Sequence, residues 1–363
     1  MTEKPVILFR VDASSGIGIG HLMRCIAMAQ ALQHLGARPL FVTRKLDGLS
    51  EKILSSFQFT PEFIDDELTE AGNAASTAEI ACREKAPLLI VDHYDLGETF
   101  RSIIRETGRS LLVIDDIAVS PSITADIILN QNCGAGNLLP RYRSIAPETT
   151  TFLIGEEYVM LRDDILEKGT GIRKERPDRL ESIASGDIKP DIMIIYGGSD
   201  VKQLTPLTLE VMRDFRDDYG ELFVVIGPGM TDQDLLERVK QAAGDLPRTR
   251  LLYNPDLAEY MARVDLAITA GGSTTHELAF FGVAMIICQV ADNQDVICNG
   301  FGSKDLAGIV RMGSDYRDAL SREIRNMFKT PEKIKTLSLA GMKLIDGHGR
   351  ERIASILARL YFS

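Results

Sequence analysis

The sequence predicts an α/β protein made of two doubly wound domains, each with a parallel sheet covered by helices on both faces. Short, continuous apolar runs alternate with longer amphipathic segments along the whole chain, which is typical of parallel strands connected by helices. The alternation stops at a charged segment near residue 167 and then restarts, and 363 residues are more than one core usually holds.

The first half contains five candidate strands, at Val6–Val11, Pro39–Thr43, Leu88–Val91, Leu111–Ile114 and Ile127–Leu129. Helical patterns lie between them at Leu22–Leu35, Ala75–Glu84 and Thr99–Thr107. Ligands of such sheets bind beyond the carboxyl ends of the strands. The polar residues that follow the runs are therefore candidate site residues: Asp12, Arg44, Asp92, His93, Tyr94, Asp115, Asp116, Asn130, Gln131 and Asn132.

Residues 167–190 combine many charges with glycines and a proline, as a linker or charged insertion does. Candidate strands resume at Ile192–Tyr196, Phe223–Ile226, Arg250–Tyr253, Leu266–Thr269 and Met285–Gln289. Candidate helices fall at Thr205–Phe215, Leu235–Ala243, Thr274–Phe281 and Ile334–Leu344. We therefore expect an N-terminal domain over 1–166, a C-terminal domain over 191–345 and a final helix over 346–363, with the active site in the cleft between the domains.

Composition excludes several classes of protein. A formal charge of −11 argues against nucleic-acid binding, which needs a basic surface. The five cysteines are dispersed without C-x-x-C spacing, which indicates reduced thiols in a cytoplasmic protein. The start of the chain lacks a secretory pattern, and no apolar run approaches the roughly 20 residues that span a bilayer. We expect a cytoplasmic protein without a membrane partner.

The strongest candidate site is the segment RVDASSGIGIGH, residues 10–21, which follows the first apolar run and leads into a helix. Glycines let the backbone approach an anionic ligand, and a helix N-terminus offers free N–H groups and a positive dipole. That location favours the neutral imidazole of His21, which accepts protons near pH 7. A nearby carboxylate such as Asp12 is expected to orient the ring. We predict His21 to be catalytic.

Other chemistries fit less well. The glycine spacing is not G-x-G-x-x-G, and the second candidate strand ends in Thr43-Arg44 without the acidic residue of an NAD site. Asp92-His93 and Asp115-Asp116 lack a recognised metal-ligand spacing, so neither a metal nor another cofactor is predicted. His93 and His276 are interpreted as structural residues.

Two glycine-rich turns in the second half are candidate anion cradles. One is Gly197-Gly198-Ser199-Asp200, and the other runs from Gly271 to Glu277, with Ser273 or Thr274 as the expected N-cap. Glu277 is expected to accept hydrogen bonds from a ribose diol. The alternative is that these turns only pack sheet against helix, which the Asn293-Gln294 pair after the next strand makes less attractive.

These segments, in this order, resemble the nucleotide-sugar hydrolases of pseudaminic acid biosynthesis, which release UDP from UDP-2,4-diacetamido-2,4,6-trideoxy-β-L-altropyranose, and the related spore-coat polysaccharide proteins. The opening signature is Arg10-x-Asp12-x-Ser14-x-x-Ile17-Gly18-x-Gly20-His21-x-x-Arg24. Further similar segments lie at residues 91–94, 114–116, 126–132, 153–162, 197–200, 271–277, 293–294 and 346–353.

The resemblance implies a glycosyltransferase-B-like pair of Rossmann-type domains and metal-independent hydrolysis with inversion at the anomeric carbon. It implies catalysis by His21, Tyr94 near the sugar and Asn293 at the diphosphate. The predicted catalytic residues are His21, Asp12 and Tyr94. The predicted substrate-binding residues are Arg10, Ser14, Gly18, Gly20, Arg24, Gly198, Ser199, Asp200, Gly271, Gly272, Ser273, Thr274, Glu277, Asn293 and Gln294.

The resulting hypothesis is a monomeric UDP-sugar hydrolase that yields UDP and a free 2,4-diacetamido-trideoxyhexose for nonulosonate synthesis. The first alternative is a glycosyltransferase that uses a UDP-sugar donor on the same scaffold. The second is a nucleotide-sugar sensor or partner subunit that binds without turnover. Release of UDP in the absence of an acceptor distinguishes the hydrolase hypothesis from both alternatives.

Overall fold

A computed structural model of the chain describes residues 4–14, 17–313 and 315–362. Ser15 and Gly16 of the glycine-rich segment lie outside the described residues, as do residues 1–3, 314 and 363. The chain divides into two compact units. The first unit is Met1–Asp163 with Gly347–Ser363, and the second unit is Asp164–Asp346.

The first unit is built on a parallel sheet. Its strands are β1 (Val6–Val11), β2 (Arg38–Arg44), β3 (Pro61–Ile64), β4 (Leu88–Asp92), β5 (Ser110–Ile114), β6 (Ile127–Asn130) and β7 (Thr151–Ile154). The strand order is β3-β2-β1-β4-β5-β6-β7. The intervening helices are α1 (Gly20–His34), α2 (Leu49–Ser56), α3 (Glu70–Arg83), α4 (Glu98–Glu106) and α5 (Leu139–Ile145).

The central strands of this sheet are buried on both faces, which explains why their sequences are continuous apolar runs. Every residue of β1 and of β4 is buried. Phe9 belongs to the core on one face, where its ring stacks on Phe41 at 5.0 Å, and Leu8 belongs to the core on the other face. The carboxyl ends of β1, β4 and β5 consequently bring Asp12, Asp92 and Asp116 to one edge of the sheet.

The second unit repeats this design. Its strands are β8 (Ile192–Ile195), β9 (Leu222–Ile226), β10 (Thr249–Tyr253), β11 (Leu266–Ala270), β12 (Ala284–Gln289) and β13 (Gly308–Arg311), in the parallel order β10-β9-β8-β11-β12-β13. Its helices are α6 (Asp163–Ala184), α7 (Leu204–Met212), α8 (Gln233–Gly244), α9 (Leu257–Met261), α10 (Thr274–Phe281), α11 (Asp295–Ser303), α12 (Tyr316–Lys329) and α13 (Pro331–Leu344). The predicted class, two Rossmann-like doubly wound α/β domains, is confirmed.

The segment expected to be a linker or charged insertion is not irregular: Asp163–Ala184 form one helix, α6. This charged segment is held as a helix by the hydrogen bonds and ion pairs of three arginines that lie one turn apart. Arg173 donates to the carbonyls of Phe280, Met342 and Ile345, and Arg179 pairs with Asp265. Arg176 is buried, and it donates to carbonyl oxygens of residues 261, 262, 264 and 281 and to Asp265.

The last helix, α14 (Gly349–Tyr361), belongs to the first unit. It packs against α1, and Arg350 forms an ion pair with Asp163. A side chain at Gly349 would collide with the backbone of Val159, so a glycine is needed where the chain returns to this unit. Across the described residues, no helix has both the length and the apolar character to cross a bilayer.

Candidate active site

The turn after β1 places the first residues of α1 at the edge of the sheet. The amide of Gly18 donates to the Ser14 carbonyl at 2.8 Å, and the amide of Ile17 donates to Ser14 Oγ at 3.1 Å. Gly18 has a φ of +89°, a left-handed conformation that glycine adopts without strain. Helix α1 begins at Gly20, so His21 lies in its first turn.

His21 is hydrogen-bonded to Asp92, the last residue of β4, with 2.5 Å between Nδ1 and Oδ1. Burial would raise the pKa of the Asp92 carboxyl, but Arg24 and His21 outweigh it and hold that pKa well below its usual range. An ionised carboxylate can only accept a hydrogen bond, so Nδ1 carries the hydrogen and Nε2 is left to accept a proton. The His21 side chain is 14% exposed, so water can reach the ring.

The sequence reasoning expected Asp12 to orient His21, and the structure pairs His21 with Asp92 instead. Asp12 is committed to other partners: Arg10 donates to both of its oxygens at 2.6 and 2.9 Å, and Arg44 donates through Nε at 2.8 Å. Burial alone would raise the pKa of the Asp12 carboxyl. The hydrogen bonds from His93 and Arg10 outweigh burial and hold that pKa well below its usual range. Asp12 is therefore ionised near neutral pH and lies at the centre of a neighbouring cluster.

That cluster also fixes His93 and Arg10. The amide of Asp95 donates to His93 Nδ1 at 3.0 Å, so Nδ1 is the acceptor and Nε2–H donates to Asp12, also at 3.0 Å. Arg10 is fully buried, and its Nε donates to Asn73 at 2.9 Å. Arg10 was expected to bind substrate; its burial assigns it to holding Asp12.

Arg24, one turn after His21, lies between two buried carboxylates. Its Nε and Nη2 donate to Asp92 at 2.5 and 2.7 Å, and its Nη1 and Nη2 donate to Asp116 at 2.8 and 3.0 Å. Burial alone would raise the pKa of Asp116, and the charge of Arg24 lowers it below the ordinary value. Arg24 was predicted to bind substrate, but its guanidinium is occupied by these two carboxylates.

Tyr94 lies beside His21, in the loop after β4. Its ring meets the imidazole edge-on, with 4.7 Å between the ring centroids. Its hydroxyl donates to Asp116 at 3.0 Å, and the residue is 51% exposed. The structure therefore brings His21 and Arg24 of the opening signature together with Tyr94 of the segment 91–94, and it adds the carboxylates of Asp92 and Asp116.

In the second unit, the turn after β8 is held by hydrogen bonds to the start of α7 and to the loop after β9. Asp200, at a φ of +43°, accepts hydrogen bonds from the amides of Leu204 and Thr205 at 2.8 and 2.9 Å. Both carboxylate oxygens of this predicted substrate residue therefore cap α7. The carbonyl of Gly198 accepts from the amide of Gly229 at 2.8 Å, and a Cβ at Gly227 would lie 2.3 Å from that carbonyl oxygen.

The turn after β11 leads into α10, with Ser273 in the N-cap position but without a side-chain capping bond. A Cβ at Gly271 would lie 2.8 Å from Cys298 Sγ, whereas the space beside Gly272 is open. Gln294 Oε1 accepts from the amides of Gly271 and Val290 at 3.2 and 2.9 Å. This predicted substrate residue thus ties the turn to the end of β12.

The other predicted residues of this unit differ in exposure. Asn293 is exposed, whereas Ser199, Ser273, Thr274 and Glu277 are partly exposed. His276 is buried near Phe301, as its structural interpretation expects. Within the described ranges, no group of three or more His, Cys, Asp or Glu side chains is arranged to hold a metal ion.

The contacts of Asp92 and Asp116 are not predicted from the sequence, nor is that of Asn132, whose Nδ2 donates to Asp116 Oδ1 at 2.7 Å. From the sequence, the two aspartates are residues at strand ends without a recognised metal-ligand spacing. The available signal was that both follow neighbouring strands of one parallel sheet, while Arg24 lies one turn after His21. These side chains meet because β1, β4 and β5 are neighbours in the sheet, and the apolar pattern of the sequence does not reveal that strand order.

Solved structures of other proteins share this fold. The chain has the fold of the glycosyltransferase-B type. It is similar to MurG of Acinetobacter baumannii, with a TM-score of 0.67 and 14% identity over 98% of this chain and all of that one. It is also similar to the UDP-GlcNAc 2-epimerase of Neisseria meningitidis, solved with bound UDP-GlcNAc, with a TM-score of 0.65 and 9% identity over 98% and 100% of the two chains. The predicted glycosyltransferase-B-like fold is confirmed.

Comparison of sequences finds proteins that are more similar in sequence than those found by comparison of structures. The chain is 27% identical over 202 residues to the UDP-2,4-diacetamido-2,4,6-trideoxy-β-L-altropyranose hydrolase of Campylobacter jejuni, a match that covers 55% of this chain and 62% of that protein. It is 27% identical over 177 residues to the spore coat polysaccharide biosynthesis protein SpsG of Bacillus subtilis, covering 47% and 50%. The chain thus spans only half to three-fifths of these relatives' lengths. No family model matches it.

Proposed function

We propose that the protein hydrolyses a UDP-linked 2,4-diacetamido-2,4,6-trideoxyhexose to UDP and the free sugar, with inversion, for nonulosonate synthesis of the pseudaminic acid type. The observation that carries the proposal is the His21–Asp92 hydrogen bond of 2.5 Å, which leaves Nε2 of a partly exposed imidazole as the proton acceptor. The likeness to the Campylobacter jejuni hydrolase supports the choice of substrate.

In this mechanism a water molecule attacks the anomeric carbon on the face opposite UDP. The new bond joins the water oxygen to that carbon, the bond from the carbon to the UDP oxygen breaks, and UDP leaves with the electron pair. His21 Nε2 takes the proton of the attacking water, and the ionised Asp92 stabilises the imidazolium that forms. The proton is then lost to solvent, so the enzyme returns to its starting state.

The second unit is proposed to hold the nucleotide. Helix α10 directs its N-terminal dipole toward the turn at Gly271–Ser273, and the open space beside Gly272 leaves room for a phosphate to approach the backbone. Asn293 is proposed to contact the diphosphate and Glu277 the ribose. The N-terminal dipole of α10 is already oriented, so it can stabilise the negative charge that develops on the departing UDP without first having to reorient.

A glycosyltransferase is the second candidate, because solved structures of similar fold include transferases such as the glycotransferase of kitacinnamycin, with a TM-score of 0.65 and 14% identity. The same His21–Asp92 pair would then deprotonate an acceptor hydroxyl instead of water. The two reactions differ in one respect that an assay detects. A hydrolase releases one UDP per sugar without any acceptor, and a transferase requires the acceptor.

The test measures UDP release from a panel of UDP-sugars that includes the diacetamido-trideoxy compound, without an acceptor. We expect His21→Asn to lower kcat by roughly 10²- to 10⁴-fold, the usual contribution of a general base, with little change in UDP affinity. His34→Asn is the matched control, because His34 lies on the same helix with its side chain 62% exposed. Chelator is expected to have no effect.

Three results would contradict the proposal. Wild-type protein that leaves every UDP-sugar intact without an acceptor, and turns over with one, would support the transferase. Tight UDP binding with no turnover under either condition would support the sensor. A loss of activity with chelator that a divalent ion restores would refute the metal-independent mechanism.

A further inference from the structure

A second buried carboxylate, Asp116, lies behind the His21–Asp92 pair, and the proposed mechanism does not use it. Its Oδ1 accepts from Arg24 Nη1 at 2.8 Å and from Asn132 Nδ2 at 2.7 Å. Its Oδ2 accepts from Arg24 Nη2 and from the Tyr94 hydroxyl, both at 3.0 Å. Four hydrogen bonds to charged or polar side chains therefore converge on one buried carboxylate.

Asp116 reaches His21 by two routes. In the first, Arg24 joins Asp116 to Asp92, whose Oδ1 is bonded to His21 Nδ1. In the second, the Tyr94 hydroxyl is held by Asp116 while the Tyr94 ring lies edge-on to the imidazole at 4.7 Å. Asp116 does not touch the imidazole in either route, so any influence on it is transmitted through Arg24 and Tyr94.

The charge of Asp116 balances the charge of Arg24 and so affects how readily His21 is protonated. Arg24 Nη2 lies 3.0 Å from His21 Nδ1, and a guanidinium so close would disfavour a second positive charge on the ring. If Arg24 faced Asp92 alone, the two would neutralise each other and leave the imidazolium uncompensated. With Asp116 on the other side of Arg24, the cluster carries one net negative charge when His21 is neutral and none when His21 is protonated.

We propose that Asp116 is a positioning residue: acting through Arg24 and Tyr94, it holds the Asp92–His21 pair in its reactive arrangement and supplies the charge that lets His21 keep the proton it removes. This inference rests on the proposed function for its catalytic consequence. The groups that face His21 are Asp92 from β4, Arg24 from α1 and Tyr94 from the loop after β4. Behind them, Asp116 contacts Arg24 and Tyr94, and the Cys25 thiol contacts Asp92.

The test is Asp116→Asn, which keeps the size of the side chain and removes its charge. We expect kcat to fall by roughly 10- to 100-fold, as when a partner of a directly acting group is lost, with KM changed less than about threefold. The acid limb of the kcat profile should move to lower pH, because a removed negative charge makes protonated His21 less favourable. Asp116→Glu, which restores the charge, should bring the limb back toward the wild-type position.

A second readout does not need turnover. In protein labelled with ¹⁵N-histidine, the His21 signal is assigned by its loss in His21→Asn, and its titration is followed by NMR. Asp116→Asn should lower the midpoint of that titration and reduce the fraction of the Nδ1–H tautomer. Asp95→Asn is the matched control, because Asp95 is an exposed carboxylate in the loop after β4 and should change neither quantity.

The outcomes separate the two hypotheses. If no UDP-sugar is hydrolysed, the proposed function fails, and the NMR titration still decides whether Asp116 controls His21. If Asp116→Asn lowers kcat but leaves the midpoint and the tautomer unchanged, the residue is merely structural and the inference is overturned. If Asp116→Asn does not fold, Tyr94→Phe tests the second route with a residue at the surface. Wild-type kcat in that variant would refute this route.

Discussion

Asp92→Asn is the substitution that most directly tests the chemistry assigned to the first unit. Asp92 Oδ1 lies 2.5 Å from His21 Nδ1, and both Asp92 oxygens accept from Arg24. An asparagine has nearly the same shape, so packing is preserved. It removes the negative charge, however, and its amide can donate to Nδ1, which would move the ring hydrogen to Nε2 and block proton acceptance.

The expected loss follows from the geometry. With 2.5 Å between the bonded atoms, the centres of the two delocalised charges lie about 4 Å apart, and at an effective dielectric constant of about 20 they interact with about 4 kcal/mol. Each 1.4 kcal/mol is about tenfold in rate, so losing this stabilisation costs about 10³-fold in kcat. The wrong tautomer increases the loss, and comparable substitutions in hydrolytic triads cost about 10⁴-fold.

The assay is steady-state UDP release, combined with calorimetric measurement of UDP binding and urea denaturation of each variant. Asp92→Asn should lower kcat by about 10³- to 10⁴-fold with UDP affinity unchanged. Asp95→Asn again serves as the control, because it removes one exposed charge from the same loop. A folded Asp92→Asn protein that retains kcat within tenfold of wild type would refute the assignment of Asp92 as the orienting carboxylate.

Further predictions concern stability. Asp12→Asn leaves the buried Arg10 guanidinium without its anionic partner and should lower the free energy of unfolding by about 3–5 kcal/mol. Because the pKa of Asp12 is depressed in the folded protein, its stabilisation is present above about pH 4 and declines in more acid solution. The variant's stability should therefore fall less steeply in acid, as urea titrations between pH 3 and pH 7 would show. Arg176→Gln should destabilise the second unit by a similar 3–5 kcal/mol, measured in the same way, since several buried carbonyls lose their donor. Gly227→Ala should cost about 1–3 kcal/mol in thermal or urea unfolding, because its Cβ would collide with the Gly198 carbonyl, whereas Gly272→Ala, which faces open space, should be nearly neutral.

Local patterns were sufficient to predict most central elements. Val6–Val11 is a strand with the predicted bounds, and the predicted helix Thr274–Phe281 is also found with the same bounds. Val6–Val11 is apolar apart from Arg10, as a strand buried on both faces requires, whereas Thr274–Phe281 lies between the glycine-rich turn at Gly271 and the glycine Gly282 that ends the helix. The short elements β3, β7 and β13 were missed because they are edge strands that are only partly buried, so their sequences lack the continuous apolar run of a central strand. The equally short β6 and β8 are wholly buried, and their apolar runs were recognised.

Helix α6 was missed for a different reason. Its sequence has many charges, three residues that disfavour helix interiors and little apolar periodicity, so local preference favours a linker. The helix is stabilised by contacts that are distant in sequence. Arg173 and Arg176 bond to carbonyls at the ends of α9, α10 and α13, and Gly169 allows Phe280 to pack directly against the helix backbone. Tertiary contacts decided its conformation.

The sequence by itself determined that the chain forms two parallel α/β domains, that a helix starts close to His21 after a glycine-rich segment, and that polar residues follow the strands. Only the tertiary structure decided which of those polar residues meet. Asp12 is nine residues from His21 and Asp92 is seventy-one residues from it, yet Asp92 is the partner, because β4 ends beside the start of α1 while Arg10, Arg44 and His93 enclose Asp12. Sequence periodicity reports which face of an element is buried, whereas the pairing of charges depends on strand order and on which buried cation each carboxylate must neutralise.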